Sequence, residues 1–316
     1  MHNTKPERCG VCGQGVDVEY KEQHKEYSLW ECSECKTQFW TPMKNPGASW
    51  YEHDERYAFR NKYPLAKPER NHKKFFKDSP EPGRKLIDIG MGTGNFLAAA
   101  IKYGYDAYGS DFDKGAIEKA KEFFGLENVF VGDIETIKEK FGEHFFDVAT
   151  MFEVVEHVES PRAFLESVSS ILKPGGYVGI SVPYRGYKDS LKPFDKPPRH
   201  LTRWDVESMT NVLELAGYNV VRTKIIKATI PFLMTKCYFW TKKWLSFGLV
   251  QKTMHREAGK NTKPQAKNIP TKIKLSILAA KIKNYVLFFI PATALFLWLN
   301  LTKKGGLGLY VLAQKK

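Results

Sequence analysis

The sequence predicts an α/β protein, in which one open, mainly parallel sheet carries helices on both faces. A small ribbon built on paired cysteines precedes the sheet, and an apolar, basic helical insertion interrupts it near its end. Three observations carry this expectation. From residue 84 the chain alternates short apolar, β-branched runs with helical patterns, the switch of period that marks a parallel sheet. Ahead of that region stand Cys9-x2-Cys12 and Cys32-x2-Cys35, with 19 residues between the pairs. After it the charge changes sharply: residues 221–316 hold 19 Lys or Arg and one acid, Glu257, whereas residues 1–220 hold 30 basic and 34 acidic residues. The net charge of +14 therefore belongs to the C-terminal segment, and it gives the body of the protein no nucleic-acid-binding character.

Residues 1–42 form the expected ribbon. Each Cys-x2-Cys can turn as a metal-binding knuckle, and a hairpin across the gap brings the pairs together. Cys9, Cys12, Cys32 and Cys35 are thus expected to hold zinc tetrahedrally, in a structural role because four thiolates leave no open position. Disulfides are the rival reading. The start MHNTKPERC is polar, with no apolar signal segment behind it, so a cytoplasmic and reducing setting is expected. Cys237, among Phe232, Tyr238, Phe239 and Trp240, reads as a small buried hydrophobe. Residues 43–83, rich in Pro, aromatics and charge, read as a connecting segment with one or two short helices.

The core spans 84–228 and 305–316. Its candidate strands are KLIDIG, DAYGSD, NVFVGD, FFDVATMF, GYVGISVP, NVVRTKIIK and the terminal GLGLYVLAQKK. Helices are expected over 94–103, 113–124, 134–141, 160–172 and 204–216, with Asp205 capping the last. KLIDIG runs into Gly90-x-Gly92-x-Gly94 and then a helix, so the backbone can approach a ligand at the positive end of that helix. A dinucleotide loop would space its glycines G-x-G-x-x-G, and here the third arrives one residue early. Asp88, two residues before the first glycine, suits a cationic ligand group. Asp111 ends the second strand of the core, where a carboxylate can accept both hydroxyls of a ribose, and Asp133 ends the third.

DIGMGTG, the acid in GSD, VGDIE and the later LKPGG together resemble a class I S-adenosylmethionine (SAM)-dependent methyltransferase. The resemblance covers roughly residues 84–227 and the terminal strand. It implies a Rossmann-like seven-stranded sheet in which the last strand inserts antiparallel beside the sixth. It further implies that Asp88, Gly90, Gly92 and Gly94 face the methionine moiety, that Asp111 with Phe112 binds the ribose, that Asp133 with Ile134 holds the adenine, and that Glu153 touches the cofactor.

MFEVVEHV, residues 151–158, ends the fourth strand, which the resemblance implies opens toward the transferred methyl group. Its Glu-x-x-Glu-His resembles the same stretch in the polyprenyl-dihydroxybenzoate O-methyltransferases of ubiquinone synthesis and in small-RNA 2′-O-methyltransferases. In both groups that motif is associated with a divalent metal near acceptor hydroxyls. The expected ligands here are Glu153, Glu156, His157 and, from PPRHLTRW, His200, with Mg the metal these donors suit. Alternatively Glu156, His157 and His200 serve as acid–base groups without a metal. Glu156 at a helix start and His157 as a packed histidine are the bland rivals.

The cysteine pairs ahead of such a core resemble the arrangement in deoxysugar C-methyltransferases. The insertion, 229–304, sets Trp240, Trp244, Phe239 and Phe247 beside Lys236, Lys242 and Lys243, and its longest uncharged run is YVLFFIPATALFLWLNL, 285–301. Aromatics mixed with lysines fit a membrane interface; a cap on the domain is the rival. The expected function is O-methylation of a lipid-linked or glycan hydroxyl, by a protein peripheral on the cytoplasmic membrane face. A soluble sugar C- or N-methyltransferase with the insertion as a lid is the alternative. RNA ranks third, and a non-catalytic SAM-binding scaffold last. The sequence does not indicate an oligomeric state.

Overall fold

A computed structural model describes residues 4–15, 17–47, 50, 68–79, 83–186, 195–249 and 287–316 of the chain. It forms two compact units, Met1–Ile226 with Gly306–Lys316, and Lys227–Gly305.

The first unit holds two sheets. Strands β1 (Val18–His24), β2 (Tyr27–Cys32) and β3 (Gln38–Thr41) build the ribbon. After helix α1 (Arg70–Asp78) the core alternates as the periodicity predicts. It runs β4 (Lys85–Ile89), α2 (Asn95–Lys102), β5 (Asp106–Asp111), α3 (Lys114–Phe124), β6 (Val129–Val131), α4 (Ile134–Phe141) and β7 (Phe146–Phe152). It continues through a single 3-10 turn (Val155–His157), α5 (Pro161–Ile171), β8 (Leu172–Pro183), β9 (Thr202–Arg203), α6 (Val206–Leu215) and β10 (Tyr218–Lys227), and closes with β11 (Gly306–Lys315). The main sheet is seven-stranded, in the order β10-β11-β8-β7-β4-β5-β6. β4 pairs in parallel with both β5 and β7, and β11 lies antiparallel to β8. β4 and β8 are buried along most of their length, which is why they read as nearly continuous apolar runs instead of alternating ones.

The chain winds from β4 outward through β5 and β6, then returns to start β7 on the other side of β4. That reversal opens a crevice at the carboxyl ends of β4 and β7, the place where open α/β sheets bind ligands.

LKPGG lies within β8. Pairing with β7 shifts register between Phe146 and Val148, and a Cβ on Gly176 would stand 2.9 Å from the Lys173 carbonyl oxygen and 3.1 Å from that of Asp147. The glycines thus permit a bulge where the strand starts. The ribbon also departs from a free-standing module: β9, from between core strands β8 and β10, completes a second sheet in the order β1-β2-β3-β9.

In the connecting segment, residues 48–49, 51–67 and 80–82 lie outside the described residues, and α1 is its described helix. The second unit contains α7 (Ile230–Leu249) and a helix, α8, over 287–301. The side chains of Lys242, Lys243, Trp244 and Phe247, and the whole basic stretch 250–286, lie outside the described residues. Among the described residues, no helix is long and apolar enough to cross a membrane.

Candidate active site

β4 delivers Asp88 and then the glycine loop to the crevice. Gly90, Gly92 and Gly94 have φ of +72°, +56° and +79°, a region that favours glycine. Gly90 is also constrained by packing, because its Cβ would lie 2.6 Å from Val154 Cγ2. The loop's backbone is fastened to β5, with the amides of Gly90 and Met91 both donating to the Ser110 carbonyl. Asp111, at the end of β5, accepts from the Gly92 amide at 2.7 Å and from the Asp113 amide at 2.9 Å.

Around this loop lie two cavities. The larger, about 380 Å³, is lined by Gly90, Asp111, Phe112, Asp133, Ile134, Glu153 and His157 among others. Phe112 is 66% exposed, an unusual setting for a phenyl ring and one that leaves its face open to a ligand. Asp133 caps α4 through Oδ1, which accepts from the Thr136 amide and hydroxyl, each at 2.9 Å. The smaller cavity, about 90 Å³, shares Gly90, Phe152 and Glu153 with the larger and adds Asp88, Gly92, Asn71 and His72. Gly94 lines neither cavity. Its Cβ would meet Leu126 Cδ1 at 2.5 Å and Ala120 Cβ at 3.2 Å, so its smallness serves the packing of α2.

Asp88 is buried and accepts from Thr150 Oγ1 at 2.7 Å. Burial pushes its carboxyl up to about 8, the Thr150 hydroxyl partly offsets this, and the nearby Asp111 charge raises it further. Near neutral pH a cationic partner would favour its ionised form.

Glu153 has φ +60°, and this left-handed residue turns the chain out of β7. The turn separates it from the other two residues of EVVEH. Its Oε1 accepts from Ser181 Oγ at 3.2 Å, and Ser181 Oγ accepts in turn from Asn71 Nδ2 at 2.8 Å. Among the described residues, Glu156, His157 and His200 form a cluster whose ligand atoms lie within 4.8 Å of one another, and Glu153 stands outside that grouping. An ordinary helix would have put all three residues of EVVEH on one face, but only the 3-10 turn Val155–His157 forms.

Within the cluster both imidazoles are oriented. His157 Nδ1 lies 2.5 Å from the Arg199 carbonyl oxygen, which can only accept, so Nδ1 carries a proton, and Nε2 stands 3.9 Å from Glu156 Oε1. His200 Nδ1 donates to the buried Asp195 carboxylate, and the two rings meet edge to face at 4.8 Å. Glu156 has no solvent exposure.

Residues 51–223, more than half of the chain, match the model of a methyltransferase-domain family. The chain belongs to this family. Its sheet is the Rossmann-like one of class I SAM-dependent methyltransferases. A chain of the solved Haloferax volcanii complex between the Trm112 methyltransferase activator and a methyltransferase shares this fold, with TM-score 0.50 and 18% identity over 86% of this chain and 98% of that one. Among curated proteins, the mitochondrial ubiquinone biosynthesis O-methyltransferase of Schizosaccharomyces pombe is 38% identical over 31% of this chain and 38% of its own length. The ubiquinone biosynthesis O-methyltransferase of Vibrio cholerae (strain O395) is 28% identical over 34% of this chain and 46% of its own length. The chain thus spans less than half the length of these two relatives.

In this chain the four ribbon cysteines are buried, form no disulfide and are gathered in one cluster. Cys9 and Cys35 sulfurs stand 3.8 Å apart, and Cys12 and Cys32 sulfurs 3.9 Å. Four sulfurs each about 2.3 Å from a tetrahedral zinc stand about 3.8 Å from one another. The Val11 and Cys12 amides point at Cys9 Sγ at 3.4 and 3.5 Å, as knuckle turns do. The donor set and its spacing fit a metal.

Several residues lining the candidate site went unseen in the sequence. Asn71 and His72 come from α1, over a hundred positions before the Ser181 that Asn71 bonds, and no local pattern ties them to the cavity. Burial lowers His72 to about 4, so its ring is neutral; Nδ1 accepts from the Glu69 amide, which leaves the proton on Nε2. Asp195 had a signal: an acid five residues before a histidine in PFDKPPRH.

Proposed function

We propose that this methyltransferase transfers the methyl group of SAM to a hydroxyl oxygen, on a lipid-linked or glycan acceptor at the cytoplasmic face of a membrane. The observation that carries the O-methyl reading is the Glu156–His157–His200 cluster beside the cavity that Glu153 and His157 line. SAM supplies a sulfonium methyl that an oxygen nucleophile displaces in line. In this reading Asp111 accepts from the ribose hydroxyls, Phe112 covers the nucleoside, Asp133 and Ile134 hold the adenine, and Asp88 pairs with the methionine ammonium. Asn71 and His72 close the methionine end.

A hydroxyl is a poor nucleophile at neutral pH, and the two oriented Nε2 lone pairs give its proton a destination. The imidazolium formed would be stabilised by Glu156, and on His200 also by Asp195. One carboxylate and two imidazoles, with no thiolate, also fit a divalent ion such as Mg or Mn, which would lower the hydroxyl pKa. The buried four-cysteine cluster suits zinc. The curated relatives, both named O-methyltransferases, support the reaction class.

Asp88 yields a pH signature. Its folded-state carboxyl is raised to about 8, so part of the unliganded protein carries the proton at pH 7. The methionine ammonium favours the ionised form, and SAM binding at pH 7 should therefore release a proton. Calorimetry in two buffers of different ionisation enthalpy reads that release directly, and Asp88→Asn should abolish it; equal heats in both buffers for the wild type would remove the assignment. Without SAM the sign is opposite: the protonated native carboxyl contributes stability at low pH that is lost as pH climbs toward about 8.

The membrane reading is supported by α8. Leu287, Ile290, Leu297 and Leu301 recur at helical spacing and are exposed, Ile290 at 73% and Leu301 at 84%, with Trp298 beside them. Phe288, Ala292 and Leu299 occupy the buried side. Lys303 and Lys304 follow, in a strongly basic segment. An apolar stripe with flanking lysines suits the interface of an anionic bilayer. The full chain should co-sediment with vesicles containing anionic lipid, release in high salt, and bind less after Ile290→Glu/Leu297→Glu. A protein that stays soluble with every vesicle would favour the soluble sugar methyltransferase, with the insertion as a lid.

A further inference from the structure

The ribbon's sheet is finished by the segment that carries His200. β9 follows His200 by one residue and pairs antiparallel with β3, Phe39 opposite Thr202 and Gln38 opposite Arg203. Residues 199–201 are bonded in two directions at once. The Leu201 carbonyl accepts from the Trp40 amide of β3 at 2.9 Å, while the Leu201 amide donates to the Glu156 carbonyl at 2.8 Å. The neighbouring Arg199 carbonyl holds the His157 Nδ1 proton. Three consecutive residues thus tie the ribbon to both members of the EVVEH cluster.

Arg203 reinforces the join. Its guanidinium lies 5.2 Å from the Trp40 ring centroid and bonds Glu22 Oε1 at 3.1 Å. β9 is only two residues long, and a strand that short has little stability of its own. It stays in place because β3 offers a paired edge, and a small four-cysteine ribbon holds its strands only when the cysteines are closed by a metal.

We infer that the metal-closed ribbon is the positioning element of the acceptor site: through β9 it holds His200 against Glu156 and His157, and it fixes the His157 tautomer through the Arg199 carbonyl. The ribbon then has a role in the reaction although its cysteines touch no reacting atom. This inference rests on the reading of His157 and His200 as acceptor-site residues. It accounts for a four-cysteine ribbon placed ahead of a sheet whose cavity residues, Asn45 and those after it, come from beyond the ribbon.

The test uses the full chain with ¹⁵N-labelled histidine side chains, followed by NMR with the ribbon metal present and after its removal by a thiol-competing chelator. SAM affinity is measured on the same samples. The Nδ1–H signals are assigned with His157→Gln and His200→Gln. In the metal-loaded chain both should be present; in the metal-free chain both should be lost together, with SAM affinity retained. Arg203→Ala, which keeps every cysteine and the whole SAM pocket, should speed the solvent exchange of the His200 Nδ1 proton and leave SAM affinity unchanged. If metal removal abolishes SAM binding as well, Arg203→Ala alone decides. Signals that survive metal removal with unchanged exchange, or exchange unaltered by Arg203→Ala, overturn the inference. Failure of the O-methyl reading is a separate result: no label passes from SAM to any hydroxyl acceptor while these signals remain intact.

Discussion

Glu156→Gln combined with His157→Gln lowers methyl transfer by about 10²–10⁴-fold, the range by which a positioned acid–base group contributes to a proton-coupled step. The experiment follows labelled methyl from SAM into a lipid and glycan extract. Glutamine nearly preserves the volume of Glu156, which is wholly buried, so the change removes charge without opening a cavity. It also removes both the Nε2 lone pair of His157 and the carboxylate 3.9 Å away from it. SAM affinity should change little, because the cofactor reading places neither side chain against the nucleoside or the methionine. Wild-type transfer rates in the double variant would return Glu156 and His157 to a packing role, with the acceptor proton leaving by another route.

Asp111→Ala has the second large effect, on binding. A carboxylate accepting two ribose hydroxyls makes two charge-assisted hydrogen bonds, each about 1.5–3 kcal/mol. Loss of both corresponds to a weakening of SAM affinity of about 100-fold or more, at 1.4 kcal/mol per tenfold. The carboxylate also receives the Gly92 and Asp113 amides, so alanine loosens the loop as well as the ribose contact. Asp111→Asn separates the two contributions, since the amide oxygen still accepts while the charge is gone; its loss should fall between wild type and alanine. Equal SAM affinity in all three proteins would refute the ribose assignment.

The parts of the fold that could be read in advance are those whose signals are local. β4, α4 and β11 sit where periodicity put them, because a strand buried on both faces and a helix bounded by Asp133 and Gly142 carry their reasons within about ten residues. The cysteine pairs were legible because metal geometry dictates their spacing. What stayed hidden depends on chain geometry rather than residue type. No sequence rule foretells that β9 should close the ribbon's sheet, or that Asn71 should reach Ser181, since both contacts join residues over a hundred positions apart. The EVVEH motif shows both cases. Its chemistry could be read from residue types, but the positive φ of Glu153 splits it, sending one carboxylate toward Ser181 and the other into the histidine cluster. Asp195 shows an intermediate case, a visible Asp–His spacing whose meaning needed the cluster around it.

One calorimetric experiment addresses both the SAM pocket and the acceptor cluster of Glu156, His157 and His200. SAM is titrated into chelated wild-type protein and into Glu156→Gln/His157→Gln, each with and without added Mg, with ribbon zinc content verified in every sample. SAM should bind both proteins, and a Mg heat present in the wild type should disappear in the variant. No SAM heat in zinc-replete wild type, or a Mg heat that persists unchanged in the variant, would contradict these assignments.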